Sequence, residues 1–530
     1  MTVFKGICFL TGDLKKKVCN RLCVFWVIFI IPCFCFLSGT QLNAAPSDVI
    51  GKQRVYAPIQ HKKFFLGERE LHGYNPDFIP NVVTFSPENA PYIRIGVQEE
   101  GYSPSNKTQK GYIQTLSKKD AKWQQIDFTG AIKKVFPNWN GMFYSGVFAE
   151  ERIVFDDEGD AYMIVNCSRP PSNLGKTLLL HSSDRCKTWG VYELPKGKFK
   201  IEVNSGHHST TRPPVILGYN NNGPMEGLFL VIPHKKNGKL FIPDPQWIAV
   251  GKHNMPAPSH SGLGNNTATK DELVHIVYLN VQTPTESKGT AQYIVTYNTK
   301  TQEVTHPILL GVNGHGPPDI HNGPAITLDS KGFLHVVLGG HQDQLYYTRS
   351  LNSNNSTQGW TKPVPIGKVK NLENLGGYTY ISMCCDQEDT LHVISRYAGD
   401  KYLFCLDYLR KKNNKDWEDK GHLIIPFRTF YSCWYHKLTI DRKGRLFLYY
   451  IYYGDQYGDK NNSWFDSSGD EISAYRNKWK SPIELQEGSR KKHGFWKGVK
   501  AHDPVLLMSE DHGDHWFLLQ TEDFTKGLFY

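Results

Sequence analysis

The chain has 530 residues, of which 39% are hydrophobic, 13% aromatic and 21% charged. This is the composition of a globular protein, and it excludes wholesale disorder, collagen and coiled coil. The net charge is +10, but the body of the chain has no block of Lys and Arg, so nucleic acid is not an expected partner. A mildly basic surface suits an anionic substrate. The abundant Gly, Pro, Tyr, Phe and Trp favour a β-rich fold of short strands.

The N-terminal segment has the pattern of an export signal. Lys15, Lys16, Lys17 and Arg21 precede an apolar run over residues 23–37, and Ala44-Ala45 follows. A run of this length is short for a membrane span and suits a signal peptide. We therefore expect a signal peptide over 1–45 and a single secreted or periplasmic domain over 46–530, with no later membrane span. The alternative to a cleaved signal peptide is an uncleaved membrane anchor. We expect the mature protein to be a monomer.

The body of the chain repeats. Four segments share two alternating apolar runs that flank Asp-x-x-Gly or a close variant, and this pattern predicts β-hairpins. They lie at 151–168, 323–340, 380–397 and 436–453, with weaker copies upstream. Two further strings, Ser182–Trp189 and Ser509–Trp516, are similar to the Asp box S-x-D-x-G-x-T-W, which is a structural turn.

Period, hairpins and Asp boxes together predict an all-β fold, a seven-bladed β-propeller over residues 46–530. We expect its closing blade to combine strands from both ends of the mature chain. A pair of β-sandwiches is the competing interpretation, and it does not explain the period.

Two predicted hairpins bring polar residues to the same end of the central channel. Residues equidistant from a hairpin turn are near-partners across it. His321 and His341 are equidistant from one turn, and Tyr380 and Arg396 are equidistant from the next. We expect these four side chains to share one mouth of the channel. His335 and His392 occupy another position of the repeat, which indicates a structural role.

Other polar residues are expected at that mouth as substrate-binding groups. In the third hairpin Tyr435 is a candidate, although a second phenol would reach the rim only if the hairpin slips by one residue. The remaining candidates begin inner strands of earlier blades; they are His207, His208, Arg212 and His260.

A group of His, Tyr and Arg without paired carboxylates does not suit ordinary glycoside hydrolysis. It suits β-elimination from a uronate, in which a base removes the C5 proton and a cation stabilises the enediolate. A phenol normally titrates near 10, and a neighbouring Arg favours its phenolate. Two rival functions are a sialidase-type glycoside hydrolase and a non-catalytic carbohydrate-binding propeller.

The strings HNGPAITLDSKGFLH…GGH, YISMCCDQEDTLHVISR and YHKLTIDRKGRLFL resemble the BNR-4 group of bacterial-neuraminidase-repeat proteins. This group includes seven-bladed ulvan lyases, which cleave a sulfated algal polysaccharide at glucuronate or iduronate. The resemblance implies acid or base roles for His321 and Tyr380, neutralisation of the carboxylate by Arg396, and positioning by His341. It implies that the chemistry needs no cofactor and that the partner is an anionic polysaccharide. It leaves open a structural calcium or zinc ion.

Overall fold

The computed structural model describes most of the chain between residues 55 and 518. The described ranges are 55–57, 82–97, 107–108, 110–117, 119, 123–144, 152–168, 172–207, 212–220, 226–250, 256–257, 265–280, 289–314, 320–368, 376–399, 404–426, 433–452 and 504–518. The predicted signal peptide lies outside them. Within these ranges, no helix combines the length and the apolar character needed to cross a bilayer.

The first two blades lie in the N-terminal part of the described chain. Its elements are β1 (Val55–Ala57), β2 (Val83–Phe85), β3 (Pro91–Val97), β4 (Lys107–Thr108), β5 (Lys110–Leu116), β6 (Trp123–Asp127), α1 (Thr129–Val135), β7 (Phe143–Tyr144), β8 (Ile153–Phe155), β9 (Ala161–Cys167), β10 (Lys176–Ser182) and β11 (Gly190–Glu193). Blade 1 has the strand order β2-β3-β5-β6, and blade 2 has the order β8-β9-β10-β11.

Blades 3 and 4 follow. Their strands are β12 (Lys198–Ile201), β13 (Ile216–Asn220), β14 (Gly227–Val231), β15 (His234–Lys236), β16 (Lys239–Phe241), β17 (Gln246–Val250), β18 (Pro256–Ala257), β19 (Thr267–Lys270), β20 (Leu273–Asn280), β21 (Thr290–Asn298) and β22 (Ile308–Asn313). Blade 3 is β12-β13-β14-β17. In blade 4, both β18 and β19 pair with β20, which continues to β21 and β22.

The last three blades carry the repeats most visible in the sequence. Their elements are the short 3₁₀ helix η1 (Ile320–Asn322), β23 (Ala325–Leu328), β24 (Leu334–Leu338), β25 (Leu345–Asn352), β26 (Asn355–Trp360), β27 (Val364–Ile366), β28 (Gly377–Cys385), β29 (Leu391–Ala398), β30 (Phe404–Lys411), β31 (Trp417–Pro426), β32 (Cys433–Ile440), β33 (Leu446–Tyr452), β34 (Pro504–Ser509) and β35 (Phe517–Leu518). Blade 5 is built on β23–β27, blade 6 on β28–β31 and blade 7 on β32–β35.

The structure confirms the all-β, seven-bladed propeller. All four strong repeats are β-hairpins, formed by β8/β9, β23/β24, β28/β29 and β32/β33. In each turn, an Asp side chain accepts the backbone N–H four residues later, at 2.8–2.9 Å; these residues are Asp156, Asp329, Asp386 and Asp441. The recurring Asp is thus explained by capping of a tight turn.

The turns of neighbouring blades contact one another. Asn89 donates to the Asp441 carboxylate, Ser330 donates to Asp389, and Gln387 donates to the Arg442 carbonyl. The turns therefore share one end of the central channel, which we name the turn mouth. The opposite end, where the inner strands begin, is the strand-start mouth.

The core consists of apolar layers between consecutive blades. For example, Leu406 and Trp516 pack with Leu438 and Leu448 between blades 6 and 7. Other layers lie between blades 1 and 2, 2 and 3, 3 and 4, 4 and 5, and 5 and 6. Each blade buries both of its faces, and this explains why the strands of blades 5 and 6 are nearly continuous in buried residues.

Both Asp boxes are structural turns. In the first, Asp184 accepts from Thr188, and Cys186 adopts φ 65° at the position where the motif has glycine. In the second, Asp511 accepts from His515 at 2.7 Å, and the following Trp516 is fully buried between blades 6 and 7.

The prediction for ring closure is wrong for the described strands. All four strands of blade 7 come from residues 433–518, and the N-terminal β1 pairs in parallel with β31 of blade 6. Blades 7 and 1 instead meet through side chains. Thr439 donates to the Val83 carbonyl at 3.1 Å, and the rings of Phe85 and Phe447 lie 4.8 Å apart. Apolar packing and turn-to-turn hydrogen bonds therefore hold this junction.

Candidate functional site

Four of the predicted residues converge at the strand-start mouth. The ring centroids of His321 and His341 are 5.0 Å apart, and those of His321 and Tyr380 are 5.6 Å apart. The Arg396 guanidinium carbon lies 4.4 Å from the centre of the Tyr380 ring. The four side chains come from two consecutive blades and form one continuous cluster, as their spacing predicts.

Close backbone approach brings the two histidines together. His321 lies in η1, and His341 follows Gly339-Gly340 at the end of β24. A Cβ on Gly339 would lie 2.4 Å from the Gly323 carbonyl oxygen and 2.6 Å from that of Asn322. Only glycine permits this approach between the two segments. The Gln292 side chain from blade 4 also binds both the N–H and the carbonyl of Gly339, which fixes the start of the His341 loop.

Backbone bonds attach the His341 loop to blade 6. Asp343 and Tyr378 exchange N–H···O bonds of 3.3 and 2.8 Å. The Gln342 N–H also donates to the Thr379 hydroxyl at 2.9 Å. A Cβ on Gly377 would lie 2.1 Å from the backbone of Gln342, so this contact also needs glycine. His341 is therefore held beside the strand that carries Tyr380.

Tyr380 occupies a β-bulge. Thr379 pairs with Arg396 and Ile381 pairs with Ser395, which leaves Tyr380 as the extra residue of its strand. Its φ is 65°, in the left-handed region that bulky residues rarely adopt. The predicted direct pairing of Tyr380 with Arg396 is thus wrong by one residue, yet the two side chains still stack. Bulges redirect side chains at functional sites, and backbone strain is concentrated there.

The cluster is shielded to different degrees. His321 and His341 are half-buried, whereas Tyr380 is 4% exposed and Arg396 is 1% exposed. The imidazoles are therefore the more accessible members, and the guanidinium lies behind the phenol ring. A cation stacked on an aromatic face in a shielded position is a strong interaction.

Sequence reasoning did not place His436 in this cluster. His436 is fully buried on β32, and its Nε2 donates to the Ile394 carbonyl at 2.9 Å. Burial lowers its pKa to about 4, and the nearby Arg396 charge acts in the same direction. A neutral imidazole therefore lies beside the guanidinium. The register of β32 and β33 shifts between Trp434 and Lys437, and this bulge is the feature that a simple count from the turn misses.

Two predicted substrate-binding residues lie at the turn mouth instead. His207 Nε2 donates to the Asp386 carbonyl at 2.9 Å. Arg212 donates to the Asp271 carbonyl and the Thr299 hydroxyl. Their expected position beside the His321 cluster is wrong, because the described residues 202–207 and 212–215 belong to the connection between β12 and β13 at the turn mouth, and not to the start of an inner strand.

The other binding candidates stay predictions. His208 and His260 lie outside the described residues. Tyr435 lies in the β32 bulge, so the hairpin does slip there by one residue. Of the two phenols that such a slip could bring to the rim, Tyr450 and Tyr452, Tyr450 is fully buried in the layer between blades 6 and 7.

Two other histidines form buried relays inside the blades. His392 binds the Asp386 carboxylate through Nε2 at 3.0 Å and the Tyr408 hydroxyl through Nδ1 at 2.8 Å. His335 repeats the arrangement in blade 5 with Asp329 and Tyr347, at 3.2 and 2.7 Å. Because a carboxylate only accepts, Nε2 carries the proton and Nδ1 accepts from the phenol. The structural interpretation of His335 and His392 agrees with this geometry.

Charge is balanced within the relays. Burial lowers the pKa of His335 and of His392, although each neighbouring Asp opposes the shift. Burial alone would raise the pKa of Asp386, but His392, His512 and the Thr390 N–H hold it well below its usual range. Neutral imidazoles and an ionised carboxylate therefore coexist in the interior.

Two groups of side chains have the donor types of a metal site. His207, Cys385 and Asp389 offer nitrogen, sulfur and oxygen atoms within 4.8 Å of one another. Asp389 also accepts two bonds from Ser330. The second group, Asp156, Glu158 and Asp160, already contains a cation, because Lys235 Nζ lies 2.7–2.9 Å from all three carboxylates. The structural metal ion that the sequence leaves open stays untested, and among the described residues His207, Cys385 and Asp389 are the group that fits it best.

Curated relatives share about half of their length or less with this chain. An ulvan lyase of Alteromonas sp. (strain LOR) is 21% identical over 236 residues, covering 37% of this chain and 48% of the relative. An ulvan lyase of Nonlabens ulvanivorans is 25% identical over 176 residues, covering 30% and 34%. A third, from Pseudoalteromonas sp. (strain PLSV), is 20% identical and covers 40% and 51%.

Similarity to solved structures is weak. An α-L-arabinanase of Penicillium chrysogenum is 12% identical with a TM-score of 0.34, covering 57% of this chain and 88% of that one. A Hadza microbial sialidase, Hz136, is 10% identical with a TM-score of 0.34, covering 61% and 63%. Neither similarity bears on function.

Residues 280–522 match the model described as BNR repeat-containing family member, and this range contains all four residues of the His321 cluster. The chain is a seven-bladed β-propeller in which residues 280–522 are similar to the BNR repeat-containing family.

Proposed function

We propose that this protein is a polysaccharide lyase that cleaves a uronate-containing, sulfated, ulvan-like polysaccharide by β-elimination. The observation that carries the proposal is the convergence of His321, His341, Tyr380 and Arg396 at the strand-start mouth. Similarity to ulvan lyases over part of the chain supports the same reaction class. The proposal includes export of the protein, because its polymeric substrate lies outside the cell.

The cluster supplies the groups that β-elimination needs. A base removes the C5 proton, the C5 electrons form a double bond to C4, and the bond from C4 to its glycosidic oxygen breaks. The departing oxygen then takes up a proton. His321 and Tyr380, whose rings lie 5.6 Å apart, serve as the base and acid pair. Positioned groups of this kind contribute roughly 10²–10⁴ in rate.

Arg396 supplies positive charge behind the reacting centre. Proton removal at C5 places a second negative charge beside the uronate carboxylate, and a fixed cation in a shielded site stabilises that charge. Because the guanidinium stacks on Tyr380, its charge also lies beside the ring that takes part in the proton transfer. His341, which lies against His321, positions the substrate and contributes to binding its charge.

The reaction has a direct optical signature. Only a lyase creates a conjugated unsaturated uronate, so ultraviolet absorbance rises as the polymer is cut. The purified protein is incubated with a panel of sulfated and desulfated uronate polysaccharides while absorbance is followed. We expect a steady rise with at least one sulfated polymer. Release of reducing ends without absorbance would indicate a hydrolase, and binding without either product would indicate a carbohydrate-binding propeller; both outcomes would overturn the proposal.

A matched pair of variants links the activity to the cluster. Tyr380→Phe removes one hydroxyl from the strand-start mouth, and Tyr347→Phe removes one from the buried relay of blade 5. We expect only the first to abolish the absorbance signal. Equal activity of folded Tyr380→Phe and wild type would remove Tyr380 from the mechanism.

A further inference from the structure

A segment of blade 3 crosses the channel at the turn mouth. After β12 the chain does not turn tightly but extends toward blades 5 and 6. The Cys385 N–H donates to the Ser205 carbonyl at 2.8 Å, and the Thr327 hydroxyl donates to the same carbonyl, also at 2.8 Å. His207 then reaches the Asp386 carbonyl. Residues 202–207, which we name the crossing segment, therefore separate blades 5 and 6 from the other side of the channel.

A cavity of about 50 Å³ lies on that other side. This is room for several water molecules, and so for one small oxyanion. Its walls come from blades 1, 2 and 7, from the crossing segment and from Arg212 and Pro214, which precede β13. The polar residues that line it include Arg152, Glu202, Asn204, Arg212, Thr439 and Arg442.

Basic residues outnumber acidic residues in the lining of this cavity. Three arginines, Arg152, Arg212 and Arg442, and one acidic residue, Glu202, are among the residues that line it. Outside the lining, the Glu272 carboxylate lies 3.9 Å from Arg212. Arg152 and Glu202 are each only 5% exposed, so water screens their charges weakly. Like charges gathered in a shielded space repel one another unless a counter-ion balances them.

Arg442 and Arg212 both retain unused hydrogen-bonding capacity. No described residue accepts a hydrogen bond from the Arg442 guanidinium, and burial lowers the pKa of Arg442 with only partial compensation from Asp157 and Asp441. The Asp441 carboxylate is itself engaged by Arg445 and Asn89. The Arg212 Nε is shielded from solvent and has no hydrogen-bond partner.

We propose that this cavity binds a tetrahedral oxyanion of the sulfate or phosphate type. Its three arginines come from blades 2, 3 and 7 and so approach from different sides, which suits four oxygens pointing in different directions better than one planar carboxylate. Guanidinium groups bind such oxyanions through charge-assisted, often bidentate hydrogen bonds. The site lies at the turn mouth, away from the His321 cluster, and does not depend on lyase activity.

Inorganic sulfate is the probe for the first test. The full-length protein is titrated with sodium sulfate by calorimetry and by thermal unfolding, against sodium chloride at matched ionic strength so that general screening is equal. We expect saturable sulfate binding and a rise in Tm, because a ligand that binds only the folded state stabilises it. No difference between sulfate and chloride would overturn the proposal.

Two variants in the same turn locate the site. Arg442→Gln removes a lining guanidinium, and Lys443→Gln makes the same change of charge at the exposed neighbouring position. We expect Arg442→Gln to weaken sulfate binding about tenfold or more, as for loss of a charge-assisted hydrogen bond, and Lys443→Gln to bind as wild type. Without sulfate, Arg442→Gln should be at least as stable as wild type, because it relieves repulsion. Equal affinity of both variants would overturn the proposal.

The source of the oxyanion is tested separately. Inorganic sulfate, inorganic phosphate and a sulfated uronate oligosaccharide are compared on wild type and Arg442→Gln. If wild type binds the oligosaccharide more tightly than the inorganic anions, and Arg442→Gln loses this advantage, the natural ligand is a sulfate ester. If wild type binds all three ligands with equal affinity, the natural ligand is a free anion. If Arg442→Gln does not fold, Arg442→Lys retains the charge without the planar fork, and unchanged sulfate affinity in that variant would contradict the site. Lyase assays of the same variants distinguish the two proposals, since Arg442→Gln should retain activity.

Discussion

Blades 5 and 6 use histidine and tyrosine in two contrasting environments. In the buried relay of blade 6, both ring nitrogens of His392 are bonded, to Asp386 and to Tyr408, and the imidazole is fully buried. At the strand-start mouth, His321 is half-buried and packs against His341 and Tyr380. Both environments lie in the same two blades, and they differ in what the imidazole contacts and in how far a substrate can reach it.

The comparison shows that residue type does not identify a catalytic group. An Asp–His–Tyr relay has the composition of a catalytic triad, but its three residues bond to one another and the relay is buried, so a substrate cannot reach its imidazole. The mouth cluster has no carboxylate among its four residues, yet a β-bulge and two glycine contacts aim it at the channel opening. Position along the strand therefore separates the two roles.

The sharpest test of this comparison is the loss of one hydroxyl at each site. Tyr380→Phe should reduce turnover by roughly 10²–10⁴, with little change in Tm, because the ring and its stacking on Arg396 are retained. Steady-state absorbance assays measure the first quantity, and calorimetry measures the second. A large fall in Tm with normal turnover would reverse the assignment of the two environments.

The pH dependence of stability should reflect the buried histidines. The pKa of His436 is about 4 in the folded state and near 6.5 when unfolded. Above pH 6.5 the imidazole is neutral in both states, and below it the unfolded chain binds the proton first. Stability should therefore fall by about 1.4 kcal/mol per pH unit from pH 6.5 to 4 for this residue alone, roughly 3 kcal/mol in total.

The lowered pKa values of His335 and His392 act in the same direction. Urea unfolding at pH 7, 6 and 5 measures the combined slope. His436→Asn should flatten it, whereas the exposed His306→Asn should not. A wild-type stability that is independent of pH over this range would contradict the neutral state of the buried imidazoles.

Replacing Arg396 by Lys should have a smaller effect than removing the Tyr380 hydroxyl. The ammonium keeps the charge but cannot stack flat on the Tyr380 ring, so we expect turnover to fall about tenfold, which corresponds to about 1.4 kcal/mol. Arg396→Ala should lose considerably more, because the charge itself is removed. Comparison of kcat for the two variants separates the contribution of charge from that of geometry, and equal loss in both would show that stacking alone matters.

The relay hydroxyls should affect stability and not catalysis. Tyr408→Phe leaves the Nδ1 of His392 without its donor inside the core, at a cost of about 1–3 kcal/mol in the free energy of unfolding. Turnover of the folded fraction should match wild type. Denaturant titration and activity at a temperature well below Tm test this pair of expectations, and a selective loss of turnover would extend the functional site into the blade.

Much of the fold could be predicted because its local signals are strong. The turn Asp and the alternating apolar residues mark each hairpin, and His321 and His341 keep the predicted register because β23 and β24 pair without a bulge. Tyr380 is displaced by one residue because a bulge with a positive φ at tyrosine leaves no mark in the sequence. His436 could not be predicted beside Arg396 because it also lies in a bulge, between Trp434 and Lys437 of β32.

Long-range features could not be predicted. The crossing segment has no Asp-x-x-Gly signal, and its partners Thr327 and Asp386 come much later in the chain, so nothing local distinguishes it from an inner strand. The closure of the ring depends on side-chain contacts between Thr439 and Val83 and between Phe85 and Phe447. Such contacts follow from three-dimensional packing and not from any repeat period.

The crossing segment also constrains the order in which the molecule can assemble. Its contacts join residues 122 and 179 positions apart, so they cannot form until blades 5 and 6 have emerged and folded. Non-local contacts of this kind slow folding, because chain entropy is lost before the contacts compensate for it. During synthesis, residues 202–207 therefore stay unbound until blades 5 and 6 have folded. Their contacts across the channel form late, after the individual blades.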